Sequence, residues 1–307
     1  MAALISHIFS SSALLSLGLY HLISTIRNQI KSPRDYFAKP YHQFSLSSSS
    51  SPFLKHLELY LLIFSLLISF AHQTLISSDP DPLLLGRTPV HRFTSLQSAA
   101  VIFLFLLLAI ALLLSETTHL LPFPSELFFG VASAVFFLQF SVSSGSASVQ
   151  LSDLQAKCDE ISARVSGLLS ILCLVIACSP KLFVVDVGLG GCLCLQGLWV
   201  LQTGLSLYVE GFIPEGCHRM LDVVSGVEGS TKCDLEESRL RAVAILDLVF
   251  VVHVMFVVMV VMVTYAVVAK SVGIRRLGSY ETLPTLSIGD SNHPTHLQMK
   301  ALSGMQA

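Results

Sequence analysis

Eleven side chains that could do chemistry lie within long apolar stretches of the sequence. An ionisable or amide group in such a stretch is costly inside a membrane and usually faces the interior of a helix bundle, so each one is a functional candidate. The candidates are His7, His21, Glu58, His72, Gln97, Gln139, Asp186, Gln196, Gln202, Asp247 and His253. The roles open to them are proton transfer, ligand or ion binding, and hydrogen bonding between helices.

Position along each stretch separates these candidates. Four of them lie near the ends of their stretches, where water and headgroups reach, so interfacial solvation is the simpler interpretation for them. These four are Glu58, His72, Asp186 and Asp247. His253 lies deeper, and the simpler interpretation there is a neutral imidazole that is hydrogen-bonded to a neighbouring helix. The intramembrane polar candidates carried forward are His7, His21, Asp247 and His253.

The spacing of these residues predicts no catalytic, metal or cofactor site. Asp247 and His253 are six residues apart, which places them about 240° from each other around a helix. A lone His253 does not match the ligand spacing of a metal site. The sequence also lacks HExxH, Gly-x-Ser-x-Gly and a Gly-rich phosphate loop. We therefore expect a protein that is not an enzyme, and a proton relay would need partners from other helices.

Seven apolar stretches must position these groups. The chain is 53% hydrophobic and 12% charged, whereas a soluble protein has about 25% charged residues. A helix needs about 20 apolar residues to span a bilayer, and the stretches cover residues 3–26, 53–76, 93–114, 123–142, 161–179, 182–209 and 242–269. The sequence predicts an all-α, multi-pass bundle of seven spans in residues 1–269 and a disordered tail in 270–307.

The connections between the spans predict an orientation. The first connection is basic and ends in serines, residues 143–160 are polar and could hold a short surface helix, and 210–241 is the longest connection. Lys and Arg number ten on the side of the tail and eight on the other side, and five of the ten follow the first span whereas the N-terminus has none. The positive-inside rule then predicts an outside or lumenal N-terminus and a cytosolic tail, in a plasma membrane or an endomembrane.

The seven cysteines fall into two groups, those in apolar runs and those in connections. Four lie in apolar runs, where a thiol is usually a small hydrophobe. Cys158, Cys217 and Cys233 are predicted in connections on the non-cytosolic side, where a disulfide between Cys217 and Cys233 is possible. It would close a loop of about 15 residues and contribute about 3 kcal/mol; the alternative is two free thiols. Cys158 would remain unpaired.

Small and amide residues share faces of the sixth span. Gln196 and Thr203 are seven residues apart, as are Gly197 and Gly204, so each pair lies on one side of the helix. Small residues let helices approach closely, and amides form hydrogen bonds across the contact. We expect helix packing here rather than a substrate path.

Three short sequences carry a family resemblance: Gly-Leu-Tyr-His-Leu at 18–22, Gln-Gly-Leu-Trp at 196–199, and Phe-Ile-Pro-Glu-Gly-Cys at 212–217, followed by Cys233. The chain resembles the plant branch of the transmembrane protein 45 family over most of residues 4–268. The resemblance implies a seven-helix membrane protein whose shared domain has no established activity. Members of that family usually carry a His-x-His cluster around the fourth span. Gln139 and Ser141 stand there in this chain, which implies that any metal site of that cluster is lost.

The tail carries one short motif, Tyr280-Glu281-Thr282-Leu283, of the Tyr-x-x-hydrophobic type that adaptor proteins read in membrane sorting. The heptahelical receptor signatures Asp/Glu-Arg-Tyr and Asn-Pro-x-x-Tyr are absent, and a net charge of -2 gives no sign of nucleic-acid binding.

Three functions remain, in order of preference. The first is a non-enzymatic membrane protein that acts through other membrane or adaptor proteins, in trafficking or in stress and defence. The second is a small-molecule or ion transporter that uses intramembrane His, Asp and Gln residues. The third is an intramembrane enzyme or cofactor carrier that uses histidines. In each case the lipid bilayer is the constant partner.

Overall fold

The computed structural model describes residues 2–42, 56–78, 90–118, 122–149, 152–219 and 231–278. Seven α-helices lie within them: α1 Ala2–Lys31, α2 Leu57–Ser78, α3 Val90–Thr117, α4 Ser125–Val149, α5 Asp153–Cys178, α6 Phe183–Tyr208 and α7 Glu236–Gly278. All seven are long and apolar enough to cross a membrane. The predicted all-α fold with seven spans is confirmed.

The fourth connection is much shorter than predicted. Residues 143–160 are not a polar connection, because α4 continues to Val149 and α5 already begins at Asp153. The Ser152 side chain accepts a hydrogen bond from the Gln155 N–H and caps α5. Leu154, Cys158 and Ile161 then follow at helical spacing and are all buried. Cys158 is therefore a core residue of a helix and not a loop thiol.

The last helix is also longer than its predicted span, since α7 continues to Gly278 rather than ending at residue 269. Residues 270–278 of the predicted disordered tail are thus helical. Residues 279–307, with Tyr280 and Leu283 of the sorting motif, lie outside the described residues.

The central helix of the bundle is α6, which packs against α1, α5 and α7. It is the most buried of the seven spans, and α2 and α7 are the least buried. In sequence order, α2 packs on α3, α3 on α4, and α4 on α5. The main core forms where α4, α5, α6 and α7 meet, with side chains such as Phe129, Val165, Leu169, Leu193 and Val257.

Glycines bring α1 and α6 into close contact. A Cβ atom on Gly18 would lie 2.7 Å from the Cys194 Sγ atom, and one on Gly197 would lie 2.9 Å from Leu15 Cγ. Gly190 and Gly204, which lie one heptad before and one heptad after Gly197, also meet α1, so the contact runs along most of both helices. Gly197 and Gly204 thus serve helix packing, as expected.

A small hairpin closes the connection between α6 and α7. Its antiparallel strands are β1, Cys217–Arg219, and β2, Thr231–Cys233. Cys217 and Cys233 face each other across the pair and are joined by a disulfide. Gly216 precedes β1 with φ of 82°, a conformation that suits glycine. Ser152 Oγ donates a 2.9 Å hydrogen bond to the Thr231 carbonyl oxygen, which fixes the hairpin to the start of α5.

We name the two ends of the bundle by the chain termini. The N-terminal face holds the start of α1, the start of α5 and the hairpin. The C-terminal face holds the end of α1, the start of α6 and the end of α7.

Candidate functional site

The most polar buried site lies at the C-terminal face around Asp186, in the first turn of α6. Asp186 is 0% exposed. His21 Nε2 lies 2.8 Å from its Oδ1 atom, and the Tyr36 hydroxyl donates to Oδ2 at 2.5 Å. The Thr25 hydroxyl donates to Oδ2 at 3.3 Å. We call Asp186, His21, Thr25 and Tyr36 the Asp186 cluster.

Local sequence explains how three elements converge on this carboxyl group. His21 and Thr25 are one helical turn apart, so both point from α1 to the same neighbour. Gly18 and Gly190 allow α1 and α6 to approach closely enough for these short contacts. Tyr36 comes from the segment 32–42, which folds back over the start of α6.

Two contacts hold that segment in place. The Ala38 N–H donates a 2.8 Å hydrogen bond to the Pro180 carbonyl oxygen, between α5 and α6. The Tyr36 ring packs edge-to-face on Phe183 with 5.6 Å between ring centroids. Tyr36 and Ala38 are both buried as a result, so the first connection is part of the folded core at this end.

The electrostatics of the cluster follow from its burial. A buried carboxylate is costly unless it is paired and hydrogen-bonded, and here both oxygens have partners. An ionised carboxylate only accepts hydrogen bonds, so His21 donates through Nε2. Burial, and next the charge of Asp186, raise the pKa of Tyr36. Its hydroxyl therefore stays protonated and keeps donating.

A second group of polar side chains adjoins the cluster. The His42 ring lies 5.9 Å from the His21 ring, and the Tyr20 hydroxyl donates a 2.7 Å bond to the His42 carbonyl oxygen. Tyr41, the residue before His42, stacks on His56 with 5.8 Å between ring centroids. Burial, followed by the charge of His21, lowers the pKa of His42 to about 4. His42 is therefore neutral at pH 7.

Glu58 at the start of α2 acts electrostatically on both Tyr20 and Tyr41 and belongs to the same group. Three atoms of this second group are buried and have no hydrogen-bond partner among the described residues: His42 Nε2, His56 Nδ1 and Glu58 Oε2. Unpaired buried polar atoms are uncommon in proteins and often mark functional positions. Both carboxylate oxygens of Asp186 are bonded, whereas the neighbouring group retains unbonded polar atoms.

The structure corrects the expectation for Asp186. Interfacial solvation was the simpler interpretation because Asp186 comes near the start of its apolar stretch. That interpretation is wrong, since the side chain has no contact with solvent and is bonded to three others. Tyr36 and Thr25 were not singled out at all. The one signal in the sequence was the glycine cluster directly after Asp186, at 188, 190 and 191, which indicates a close helix approach.

Of the four polar candidates carried forward, only His21 belongs to this site. His7 lies at the N-terminal face, between Gly204 and the Tyr208 ring at 5.7 Å. Asp247 forms a 2.9 Å ion pair with Lys157 of α5 and stays half exposed. His253 bonds through Nδ1 to the Val249 carbonyl oxygen of its own helix at 2.7 Å. The expected bond to a neighbouring helix is therefore not made by this nitrogen.

The remaining polar groups tie helices together. Gln196 Nε2 donates to Ser162 Oγ at 2.8 Å, and Trp199 Nε1 donates to the Cys158 carbonyl oxygen at 3.0 Å. Ser133 and Ser170 bond between α4 and α5. These contacts agree with the packing role expected for Gln196.

Gln139 and Ser141 bond within α4, to Ser143 Oγ and to the Phe137 carbonyl oxygen. Among the described residues, no three His, Cys, Asp or Glu side chains are grouped so that they could hold a metal ion.

These features define the class of the chain as a multi-pass α-helical membrane protein. Its residues 125–266 are similar to a family whose description is "Family of unknown function (DUF716)". No curated protein matches the chain. The matched residues begin with α4 and include Asp186, whereas His21, Thr25 and Tyr36 precede them. The Asp186 cluster is thus assembled from both parts of the chain.

Proposed function

We propose that this protein is a non-enzymatic multi-pass membrane protein that acts through partner proteins. The observation that carries the proposal is the bonding of its buried polar groups. Ser133 and Trp199 bond to neighbouring helices, as does Gln196 through its Nε2 atom although its Oε1 atom has no partner among the described residues. Such contacts hold a bundle together rather than line a path. Recognition then falls to surfaces outside the spans.

The hairpin offers such a surface at the N-terminal face. Its disulfide and the Ser152–Thr231 bonds keep its two ends rigid, and rigidity lowers the entropy lost on binding. Phe212 is 52% exposed beside it, and exposed aromatic side chains are typical anchors of protein interfaces. His218 and Asp234 add exposed polar groups.

The finer features of the proposal rest on the sequence. The motifs at 18–22, 196–199 and 212–217 support membership of the plant branch of the transmembrane protein 45 family. The Lys and Arg distribution supports a non-cytosolic N-terminus and a cytosolic tail. In that orientation Tyr280 and Leu283 are available to adaptor proteins, and a role in trafficking or in stress and defence follows.

Site-specific photo-crosslinking in cells tests the partner proposal. A photoreactive amino acid is placed at Phe212 or His218, and a matched control is placed at Val258, which faces outward from α7. We expect the probes at Phe212 and at His218 each to give one discrete adduct with the same protein, identified by mass spectrometry. The adduct should disappear when Cys217 and Cys233 are changed to serine. Labelling at Val258 that matches the hairpin pattern contradicts the proposal.

The His21–Asp186 pair favours a second candidate, a transporter of small molecules or ions. Intramembrane His and Asp pairs mark ion and proton pathways in many membrane proteins. Proteoliposomes under a pH gradient, tested with a panel of solutes, measure this activity. Transport predicts uptake that falls at least tenfold in Asp186→Asn and is retained in Asp247→Asn. Wild-type uptake equal to that of empty liposomes, or uptake that survives Asp186→Asn, counts against it.

A further inference from the structure

Exposed cations gather around the Asp186 cluster. They come from four separate parts of the chain: the end of α1, the segment 32–42, the turn between α5 and α6, and the end of α7. We call them the basic face, and its members are Lys31, Arg34, Lys39, Lys181 and Lys270.

Packing beneath the basic face brings these parts together. Val268 and Val272 of α7 pack on Leu22 and Ile26 of α1, and Phe183 of α6 joins the same apolar group. The hydrogen bond from Ala38 to Pro180 ties the segment 32–42 to the turn that precedes α6. The cations therefore share one rim of the bundle at the membrane surface.

Four of the five cations of the basic face have no acidic partner within the described residues. Arg34, Lys39, Lys181 and Lys270 form no ion pair with any residue that the structure describes. Asp35 is the exposed acidic residue of the segment 32–42, and Glu116 at the end of α3 and Glu126 at the start of α4 are exposed at the same end of the bundle. Asp186 also lies here, but it is buried and its oxygens are taken by the cluster.

The N-terminal face is different. Arg164 pairs with Glu160, and Arg239 pairs with Glu236 and Asp153. These two arginines are thus matched by acidic groups of the same chain, whereas Arg241 is exposed and forms no ion pair with a described residue. At the C-terminal face, Arg34, Lys39, Lys181 and Lys270 all lack such a partner, so negative charge is favoured at that end.

We propose that the basic face binds the anionic headgroups of phospholipids in the leaflet that surrounds the C-terminal face. Juxtamembrane Lys and Arg residues attract anionic lipids additively. The guanidinium group of Arg34 can donate two parallel hydrogen bonds to a phosphate. The surface is independent of both candidate functions above, because it needs neither a protein partner nor a transported solute.

The Asp186 cluster positions this surface. Arg34 and Lys39 flank Tyr36, whose hydroxyl is bonded to Asp186. The segment that carries both cations is therefore held on the bundle rather than free in solution. Tyr36 acts here as a positioning residue, since it contacts the carboxyl group and not the headgroup.

Binding of fluorescent phosphatidylserine and phosphatidylcholine to the full-length protein in mixed micelles tests the proposal. The test variant combines Arg34→Gln, Lys39→Gln and Lys181→Gln. Each lost charge weakens binding about fivefold, which corresponds to about 1 kcal/mol, so phosphatidylserine affinity should fall roughly a hundredfold. Phosphatidylcholine binding should not change. The matched control combines Arg164→Gln, Arg239→Gln and Arg241→Gln at the other end, and it should stay within about twofold of wild type.

Three outcomes overturn the proposal. Equal affinity of wild type for the two lipids removes the charge selectivity, and equal losses in the two triple variants remove its location. Competition by soluble glycerophosphoserine as strong as that of the lipid would assign the site to a free anion. If the test variant does not fold, wild-type binding across salt concentrations decides instead. Phosphatidylserine binding must weaken as salt screens the cations, and binding that resists salt contradicts the proposal.

Discussion

The two ends of the molecule are fastened in different ways. At the C-terminal face, hydrogen bonds to the buried Asp186 join α1, α6 and the first connection. At the N-terminal face, a disulfide closes the hairpin and Ser152 fixes it to α5. The first fastening is buried and depends on the charge of one group. The second lies outside the spans and depends on a covalent bond, so different conditions should loosen each end.

Removing the carboxyl group should have the largest effect. Asp186→Ala leaves His21 and Tyr36 buried without their acceptor, and each buried donor left unbonded costs about 1 to 3 kcal/mol, so the loss for the two donors is about 2 to 6 kcal/mol. Thermal unfolding in micelles measures the change. Asp35→Ala, an exposed neighbour, is the control and should cost less than about 0.5 kcal/mol. Similar losses in both variants would show that Asp186 does not fasten this end.

Removing the disulfide should loosen the other end alone. The Cys217→Ser and Cys233→Ser double variant frees a loop that the bond closes, a change of about 3 kcal/mol. Limited proteolysis should then cut between α6 and α7, and reducing agent should have the same effect on wild type. Cleavage within the segment 32–42 should stay as in wild type. If that segment also becomes sensitive, the two ends are coupled and the comparison fails.

A smaller change sharpens the comparison at the C-terminal face. Tyr36→Phe keeps the ring on Phe183 and removes only the hydroxyl that bonds to Asp186. Hydrogen bonds to charged groups contribute about 1.5 to 3 kcal/mol, so the unfolding temperature should fall less than in Asp186→Ala. Tyr265→Phe on α7, where the side chain is 49% exposed, provides a ring-matched control. Phosphatidylserine binding should weaken in Tyr36→Phe and not in the control.

Acid should give the smallest of these effects, again at the C-terminal face. Burial lowers the pKa of His42 from 6.5 to about 4, so the folded state resists its protonation. The resulting stability is fully present above pH 6.5 and is lost as the pH falls toward 4. Between pH 8 and pH 5.5 the loss is about 1.4 kcal/mol. His42→Gln should flatten the pH dependence of thermal unfolding. An unchanged profile would exclude His42 as its source.

The seven spans were predictable from the sequence because each is a long apolar run. A helix surface that faces lipid is apolar, so few polar residues interrupt these runs. Their ends were not. The start of α5 carries the charged residues Asp153, Lys157 and Glu160 along one side, so its mean composition is polar, while Leu154 and Cys158 on the adjoining side are buried. An average over a window of residues cannot separate the two sides of one helix.

The Asp186 cluster was not predictable for a related reason. His21 was recognised as an ionisable residue in a span, but Tyr36 lies in a connection and Thr25 is common in spans. Their meeting depends on the close approach of α1 to α6 and on the fold of the segment 32–42. Neither the approach of the two helices nor the fold of this segment can be obtained from the spacing of residues along one helix. The disulfide could be considered from the sequence, because both cysteines lie in the same connection and are 16 residues apart.

The separation of Asp186 from its partners also has a consequence in time. His21 precedes Asp186 by 165 residues, and five spans are complete before α6 is synthesised. A ribosome adds about 5 to 20 residues each second, so His21 and Thr25 wait in the bilayer for many seconds without their carboxylate. During that interval α1 is a span with polar groups and glycines facing nothing that fits them. The polar groups of α1 in the nascent chain must therefore be kept from contact with lipid until α6 is inserted.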